Sequence, residues 1–291
     1  MQESQTITRK SASNLALAFV LLPKAKRDAM SALYAFCREV DDVADDVSVP
    51  TEQRRKGLSA WREDIRKACE GGSPEFAVNR ELQGVIRSYH LPFDLFNELL
   101  LGVEMDLETL RYQTYQELDL YCYRVASVVG LLSIEIFGYQ DPRCKEYAVA
   151  LGKALQLTNI LRDVGSDAER DRIYLPMQEL ARFGVAPEDV LARRFSPQFE
   201  SLARSAAQRA KDFYRTARTI RANLPRCDRR SMVAAELMGS VYWSLLGKLE
   251  SRNFDVLGPS ITRVPKLQKI ALILQSWWRC SRDATAPNYD F

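Results

Sequence analysis

Apolar residues recur at three- and four-residue intervals along almost the whole chain, the spacing that lays one face of an α-helix against a core. Leu33, Phe36, Val40, Val43 and Val47 form one such stripe. No convincing pair of alternating strands or hairpin turn interrupts the pattern. Punctuation falls at regular intervals. Pro23 follows the first apolar run, Pro50 closes the helix that carries Asp41, and Gly71-Gly72-Ser73-Pro74 reads as a loop. Leu91-Pro92 opens a helix running to about Leu110. Thr114 and Glu117 make a capping box at the head of a long helix ending near Gly138. Asp141-Pro142 then starts another, with Asp as cap and Pro at the first helical position. Further helices are expected over residues 196–224, 228–252 and 265–278. Residues 121–137 are apolar almost all round, which predicts a buried central helix. The expectation is an all-α, single-domain protein of roughly ten helices over residues 1–281, with residues 282–291 a frayed tail.

Within this helical pattern two aspartate pairs stand out, Asp41 with Asp45 and Asp163 with Asp167, each spaced D-x-x-x-D. Residues four apart lie one above the other on a helix, so each pair makes a patch of paired carboxylate. Tyr34, Arg38, Asp41 and Asp45 fall within a sector of about 60°, roughly opposite the apolar stripe. Gln156, Asn159, Asp163 and Asp167 fall within about 80°. Taken alone, either stripe fits a solvated charged face, and Asp42 with Asp46 forms a competing pair beside the first. Four aspartates in six residues repel one another and form helix poorly, so local stability does not explain them. Asn and Gln amid apolar neighbours are costly unless hydrogen-bonded. Two facing carboxylate patches call for cations between them, and hard oxygen ligands suit Mg²⁺ that shares its shell with substrate phosphates. Arg38, Arg162, Arg170 and Arg172 cluster at the pairs, and guanidinium forks bind phosphate bidentately. Together these features point to a diphosphate enzyme.

Composition narrows the field. The chain has 291 residues, 46% hydrophobic and 27% charged, enough for a sizeable core. A net charge of +3 is too mild for a nucleic-acid partner. A single histidine, His90, makes a zinc site improbable and leaves a Ser-His hydrolase only one candidate base. Six scattered cysteines without a C-x-x-C pair read as free thiols in a reducing compartment. Residues 1–10 are polar and the apolar run 15–22 is too short to span a bilayer, so a cytoplasmic protein is expected, at most peripheral at the inner face of a membrane. The basic segment 266–279, ending in Trp277-Trp278-Arg279, supplies the basis for such a contact, although core packing of the tryptophans is the favoured reading.

Tyr34-Ala35-Phe36-Cys37-Arg38-Glu39-Val40-Asp41-Asp42-Val43-Ala44-Asp45 resembles the first aspartate-rich motif of the squalene/phytoene synthases. Gln156-Leu157-Thr158-Asn159-Ile160-Leu161-Arg162-Asp163-Val164-Gly165-Ser166-Asp167, continuing through Arg172-Ile173-Tyr174-Leu175-Pro176, resembles their second. Tyr121-Cys122-Tyr123-Arg124-Val125-Ala126-Ser127-Val128-Val129-Gly130 is similar to the tyrosine-bearing helix between them, and the likeness covers about residues 10–280.

That resemblance implies the class I isoprenoid synthase fold, with helices around a central active-site cavity. It implies head-to-head (1′–1) condensation of two allylic prenyl diphosphates, farnesyl diphosphate being the expected substrate. Asp41, Asp45, Asp163 and Asp167 would be ligands to two or three Mg²⁺ ions. Arg38, Gln156, Asn159, Arg162 and Arg172 would bind substrate diphosphate and metal, and Tyr34, Tyr121 and Tyr174 would stand near the reacting carbons. Ser11 and Ser13 correspond to an early serine-rich diphosphate segment, but Asn14, Leu15 and Ala16 depart from its usual serine-phenylalanine-tyrosine pattern. Glu104-Met105-Asp106-Leu107 and Glu135-Ile136-Phe137-Gly138-Tyr139 look most like the bacterial hopanoid branch, which stops at presqualene diphosphate. NADPH is then not expected, and downstream squalene-forming enzymes are expected partners. Squalene, dehydrosqualene or phytoene formation remains an alternative. So does a non-catalytic role as a prenyl-synthase-like partner, against which the intact carboxylates argue.

Overall fold

The structure is a computed structural model and describes residues 2–10 and 18–282. Among these residues lie fourteen α-helices, a 3₁₀ turn at Phe19–Leu21 and a π turn at Tyr123–Ser127. No strand is present among them, only one parallel bridge between Arg111 and Ile173. The excess over ten helices comes from short elements. Helices α9 (Met177–Phe183) and α10 (Pro187–Leu191) follow prolines in the connection after the second aspartate pair. The expected helix over 228–252 is divided at Met232 into α12 (Arg226–Ser231) and α13 (Val233–Ser251). The tail 283–291 and the serine-bearing segment with Ser11 and Ser13 lie outside the described residues.

Helix α1 (Gln2–Lys10) packs on α2 (Lys24–Asp45), which carries the first pair. The apolar stripe of α2 is buried at Leu33, Phe36 and Val40, but Val47 is 79% exposed. The helix stops at Asp45, with the Val47 amide turned back onto the Asp45 carbonyl at 2.9 Å. The physical cause is electrostatic: aspartates crowd the helix C-terminus, where the macrodipole is already negative and no basic residue compensates in the last turn. Arg54, from the next helix, donates to the Ala44 carbonyl at 2.6 Å and supplies the missing cation. Pro50 accordingly caps the start of α3 (Thr51–Glu70) instead of ending α2. Helices α4 (Ala77–Tyr89) and α5 (Phe93–Glu108) complete this half, and Phe36 meets Phe96 edge-on at 5.2 Å in its core. His90 ends α4 in the left-handed region at φ 55°.

The central rod runs over Tyr115–Phe137, as α6 (Tyr115–Cys122), the π turn and α7 (Val128–Phe137). Thr114 caps it, its hydroxyl accepting from the Glu117 amide at 3.3 Å. By length and composition this is the one described helix able to cross a membrane, yet it is half buried inside the protein. Two glycines clamp the π turn. A Cβ at Gly102 would lie 2.7 Å from the Arg124 Cβ, and one at Gly152 would lie 2.6 Å from the Ser127 Cα. Ser127 also donates to the Val149 carbonyl at 2.9 Å. Helix α8 (Arg143–Ala168), which carries the second pair, therefore crosses the rod at backbone contact, and α11 (Pro197–Ala222) packs along its other side. The buried apolar residues of all these helices form one continuous core.

Helix α14 (Lys266–Ser281) corrects one expectation. Trp277 and Trp278 are 57% and 49% exposed, not packed in the core, because Leu272, Ile273 and Ser276 make the docked face instead.

Candidate active site

Helices α2 and α8 run parallel across a cavity of about 400 Å³. Its lining descends α2 through Met30, Tyr34 and Cys37 to Asp41, and α8 from Tyr147 through Leu151 and Leu155 to Gln156 and Asn159. Lys26, near the start of α2, donates to the Phe137 carbonyl at the end of α7, which ties the start of α2 to the rod just ahead of α8. The apolar ends thus coincide at one pole and the carboxylate-bearing ends at the other. Val125, Ala126, Val129 and Gly130 of the rod form a third wall, and Ala234, Met238 and Tyr242 of α13 close it. Small residues at 126 and 130 serve two purposes, leaving room in the cavity and admitting α8, whose Ala148 carbonyl would be 3.0 Å from a Cβ at Gly130. At the apolar pole Tyr147 donates to Glu236 at 2.6 Å, and Glu236 forms an ion pair with the buried Arg221 at 3.0 Å, so the charges behind the wall are matched.

The acidic pole gathers around a residue that no motif reading had given a role. Asp106 of α5 accepts from the Tyr174 hydroxyl at 2.7 Å and the Tyr121 hydroxyl at 3.0 Å, while its backbone carbonyl accepts from Arg172 at 2.9 Å. Tyr112, Tyr121 and Tyr174 make a ring cluster with centroids 5.2 to 5.8 Å apart. A short turn brings these groups in. After α8 ends, Asp171 takes the left-handed conformation at φ 56°, held by Arg111 at 2.7 Å, and the Ile173 amide bonds the Leu110 carbonyl at 3.0 Å. Arg172 and Tyr174 are thereby delivered to Asp106.

Electrostatics link this centre to both pairs. Burial, then repulsion from Asp106 and Asp45, pushes the Asp41 carboxyl up to about 7. The Asp41 side chain is reached from the cavity space, but the surrounding walls withdraw it from bulk water, so accessibility and desolvation coexist. Burial and then Asp163 push Asp167 up to about 7 as well, and burial raises Asp106. Burial, followed by the Asp106 charge, moves the Tyr121 and Tyr174 phenols far above their ordinary range, so both are hydrogen donors. The competing pair is otherwise engaged: Asp42 is bound by Arg38 at 2.5 Å, and Asp46 accepts from the Ser48 amide at 3.1 Å.

The arginines divide in the same way. Arg162 forks onto Asp163 at 2.8 and 2.5 Å. Arg170 and Arg172 approach Asp45 at 3.5 and 3.7 Å, and with Arg54 they line a mixed-charge hollow of about 290 Å³ that also includes Asp45 and Asp106. Arg38 is half-exposed and tied to Asp42. Tyr34 faces the cavity and meets Phe19 edge-on at 6.4 Å.

The donor set fits a divalent cation. It offers only hard oxygens, burial and then neighbouring carboxylates hold Asp41 and Asp167 above their ordinary range, and the buried Asn159 Oδ1 has no hydrogen-bond partner. Among the described residues no three acidic, cysteine or histidine side chains converge on one point. An ion here would complete its shell with water or phosphate oxygen, as Mg²⁺ does. Asp106 was legible only as a member of the segment Glu104-Met105-Asp106-Leu107, and Tyr112 carried no signal in the sequence.

Comparison with known proteins agrees with this geometry. Residues 8–270 match the squalene/phytoene synthase family. A presqualene diphosphate synthase from Zymomonas mobilis is 38% identical over 254 residues, spanning 86% of this chain and 84% of that protein. A phytoene synthase from Arthrospira platensis is 37% identical over 264 residues, with the same coverage of 86% and 84%. Among solved structures, a ligand-bound dehydrosqualene synthase superposes with TM-score 0.82 at 28% identity, covering 96% of this chain and 95% of its own. Squalene synthase HpnC from Alicyclobacillus acidocaldarius gives TM-score 0.77 at 27% identity, covering 86% and 93%. With an apolar cavity closed by two carboxylate-bearing helices and a match over nearly its whole length, the chain belongs to the squalene/phytoene synthase family of head-to-head prenyltransferases.

Proposed function

We propose that the protein joins two farnesyl diphosphates, 1′ to 1, into presqualene diphosphate, with release of one diphosphate and one proton. The observation that carries this reading is an apolar cavity ending at Asp41, Gln156 and Asn159, with Asp106 close enough to act on the charge of Asp41 on one side and of Asp167 on the other. Asp41, Asp45, Asp163 and Asp167 would hold Mg²⁺, which supplies the charge that draws diphosphate off an allylic carbon. Arg170 and Arg172 bind the diphosphate from the hollow beside Asp45, and Gln156 and Asn159 orient it. The apolar wall and the Tyr34 ring shield the allylic cation from water, so that the double bond of the second substrate captures it. Loss of a proton then closes the cyclopropane. Tyr121 and Tyr174 donate to Asp106, which disfavours either phenol as the base and favours the departing diphosphate. The product keeps its second diphosphate, so a reductive rearrangement enzyme must consume it to reach squalene.

Residues 1–281 are read as the synthase domain. The near-equal identity to a phytoene synthase supports a second reading, in which the substrate is longer and the product rearranges without reductant. Diphosphate release measured with farnesyl and geranylgeranyl diphosphate separately, with Mg²⁺ and with EDTA, tests the proposal. Mg²⁺-dependent turnover favouring farnesyl diphosphate is expected. Preference for the longer substrate would move the assignment to the second reading, and turnover in EDTA would remove the metal from the account.

A further inference from the structure

Five of the eleven exposed large apolar side chains among the described residues lie on α14: Leu267, Ile270, Leu274, Trp277 and Trp278. At 100° per residue these five fall within a sector of about 100°. The half-buried Leu272 and Ile273, the buried Ser276, and Gln268, which donates to Ser244 on α13 at 2.7 Å, occupy the opposite side. A surface helix ordinarily turns its apolar face inward and a polar face out. This one docks by one face and turns a second, apolar one away from the body. Leu267, the most exposed of them at 82%, is the clearest departure.

Charge points to what covers the stripe. Residues 256–282 contain Arg263, Lys266, Lys269, Arg279 and Arg282, and no Asp or Glu. Lys266 and Arg282 border the stripe on its two sides, and the Arg282 guanidinium stacks on the Trp278 ring at 4.4 Å. Partial burial, then Arg263 and Lys266 nearby, lowers the Lys269 pKa, so these cations crowd one another. A second copy of the chain on the same face would bring five more cations against these five. An anionic lipid surface offers what is missing, phosphates for the cations and a headgroup–acyl boundary for paired tryptophans.

We propose that α14 lies in the plane of an anionic phospholipid bilayer, with its five-residue apolar stripe in the interface and the flanking cations on lipid phosphates. The inference does not depend on which product the cavity releases. Flotation of the full-length protein with phosphatidylcholine vesicles, and with vesicles containing about 30% phosphatidylglycerol, tests it. The expected result is binding to the anionic vesicles that falls about ten-fold or more in ~0.5 M salt. Leu274→Glu with Trp278→Glu should abolish that binding with an unchanged melting temperature, since both side chains are exposed. Lys266→Gln with Lys269→Gln should weaken it by about five-fold per residue removed. No binding to anionic vesicles at low salt would overturn the proposal. So would equal binding by the double glutamate variant, or sedimentation showing that the wild type self-associates through this face without binding vesicles.

Discussion

Replacing Gly152 by Ala tests the packing that builds the site. Gly152 lies on α8 where that helix crosses the π turn, and an added Cβ would sit 2.6 Å from the Ser127 Cα, 2.8 Å from its amide nitrogen and 3.0 Å from the Ala126 carbonyl carbon. All three atoms are backbone of a central rod, so no side-chain rotation relieves them. Reaching an ordinary contact requires α8 and the rod to separate by roughly 0.8 Å, and overpacking of this kind costs about 1–3 kcal/mol. The better helix propensity of Ala returns about 1 kcal/mol at most. A net loss of up to about 2 kcal/mol lowers the melting temperature by up to about 3 °C in a chain of this size. The functional cost is larger, because α8 carries Gln156, Asn159, Asp163 and Asp167, and a displacement of ~1 Å at a reacting centre costs about a hundredfold in rate. Gly84→Ala is the control: that residue is exposed in mid-helix with nothing within 4 Å of a new Cβ. It should gain about 0.5–1 kcal/mol and leave turnover unchanged. Thermal melts and diphosphate-release rates on the two variants decide the matter. A Gly152→Ala protein as stable and as active as wild type would refute the close crossing.

Three further outcomes are expected. Asp41→Ala or Asp163→Ala should abolish turnover while circular dichroism stays that of the folded protein, since each removes a site carboxylate and no core contact; full product yield from either variant would remove the pairs from the mechanism. Arg172→Lys keeps the charge but loses the planar fork, so kcat or KM for farnesyl diphosphate should worsen by about ten-fold or more with little change in stability; unchanged constants would place Arg172 outside the reaction. In metal-free protein, burial and then neighbouring carboxylates push Asp41 and Asp167 up to about 7 in the fold, well above an ordinary aspartate, so the native state holds protons that the unfolded chain has released. Stability should therefore fall as pH rises from about 4 to 7 and level off above, with a shallower slope in Asp167→Asn; a melting temperature that climbs across that window would contradict the carboxylate crowding.

The elements that sequence made legible are those whose signal is local. The D-x-x-x-D pairs at i and i+4, the Thr114 cap and the Gly71–Pro74 loop each depend on neighbours within a few residues, and each is where the pattern places it. What eluded it depends on distance. Asp106 acquires its place from Tyr121, 15 residues away, and Tyr174, 68 residues away, and no spacing rule links the three. The π turn sits where Gly102 and Gly152 approach the rod closely from different helices, and its own residues carry no mark of it. Val47 fitted the apolar period but fell beyond a helix end set by charge. For α14 the sequence favoured core packing of the tryptophans, because nothing local to them says which side of the helix meets the protein. The choice fell to Leu272, Ile273 and Ser276, leaving both tryptophans outward.

The identity of the product is the decisive measurement. Purified protein incubated with farnesyl diphosphate and Mg²⁺, without any reductant, should convert two substrates into one molecule that still carries a diphosphate, identified by mass spectrometry as presqualene diphosphate, with no change when NADPH is added. Squalene formed only with NADPH, dehydrosqualene formed without it, or no coupled product from intact protein would contradict the claim.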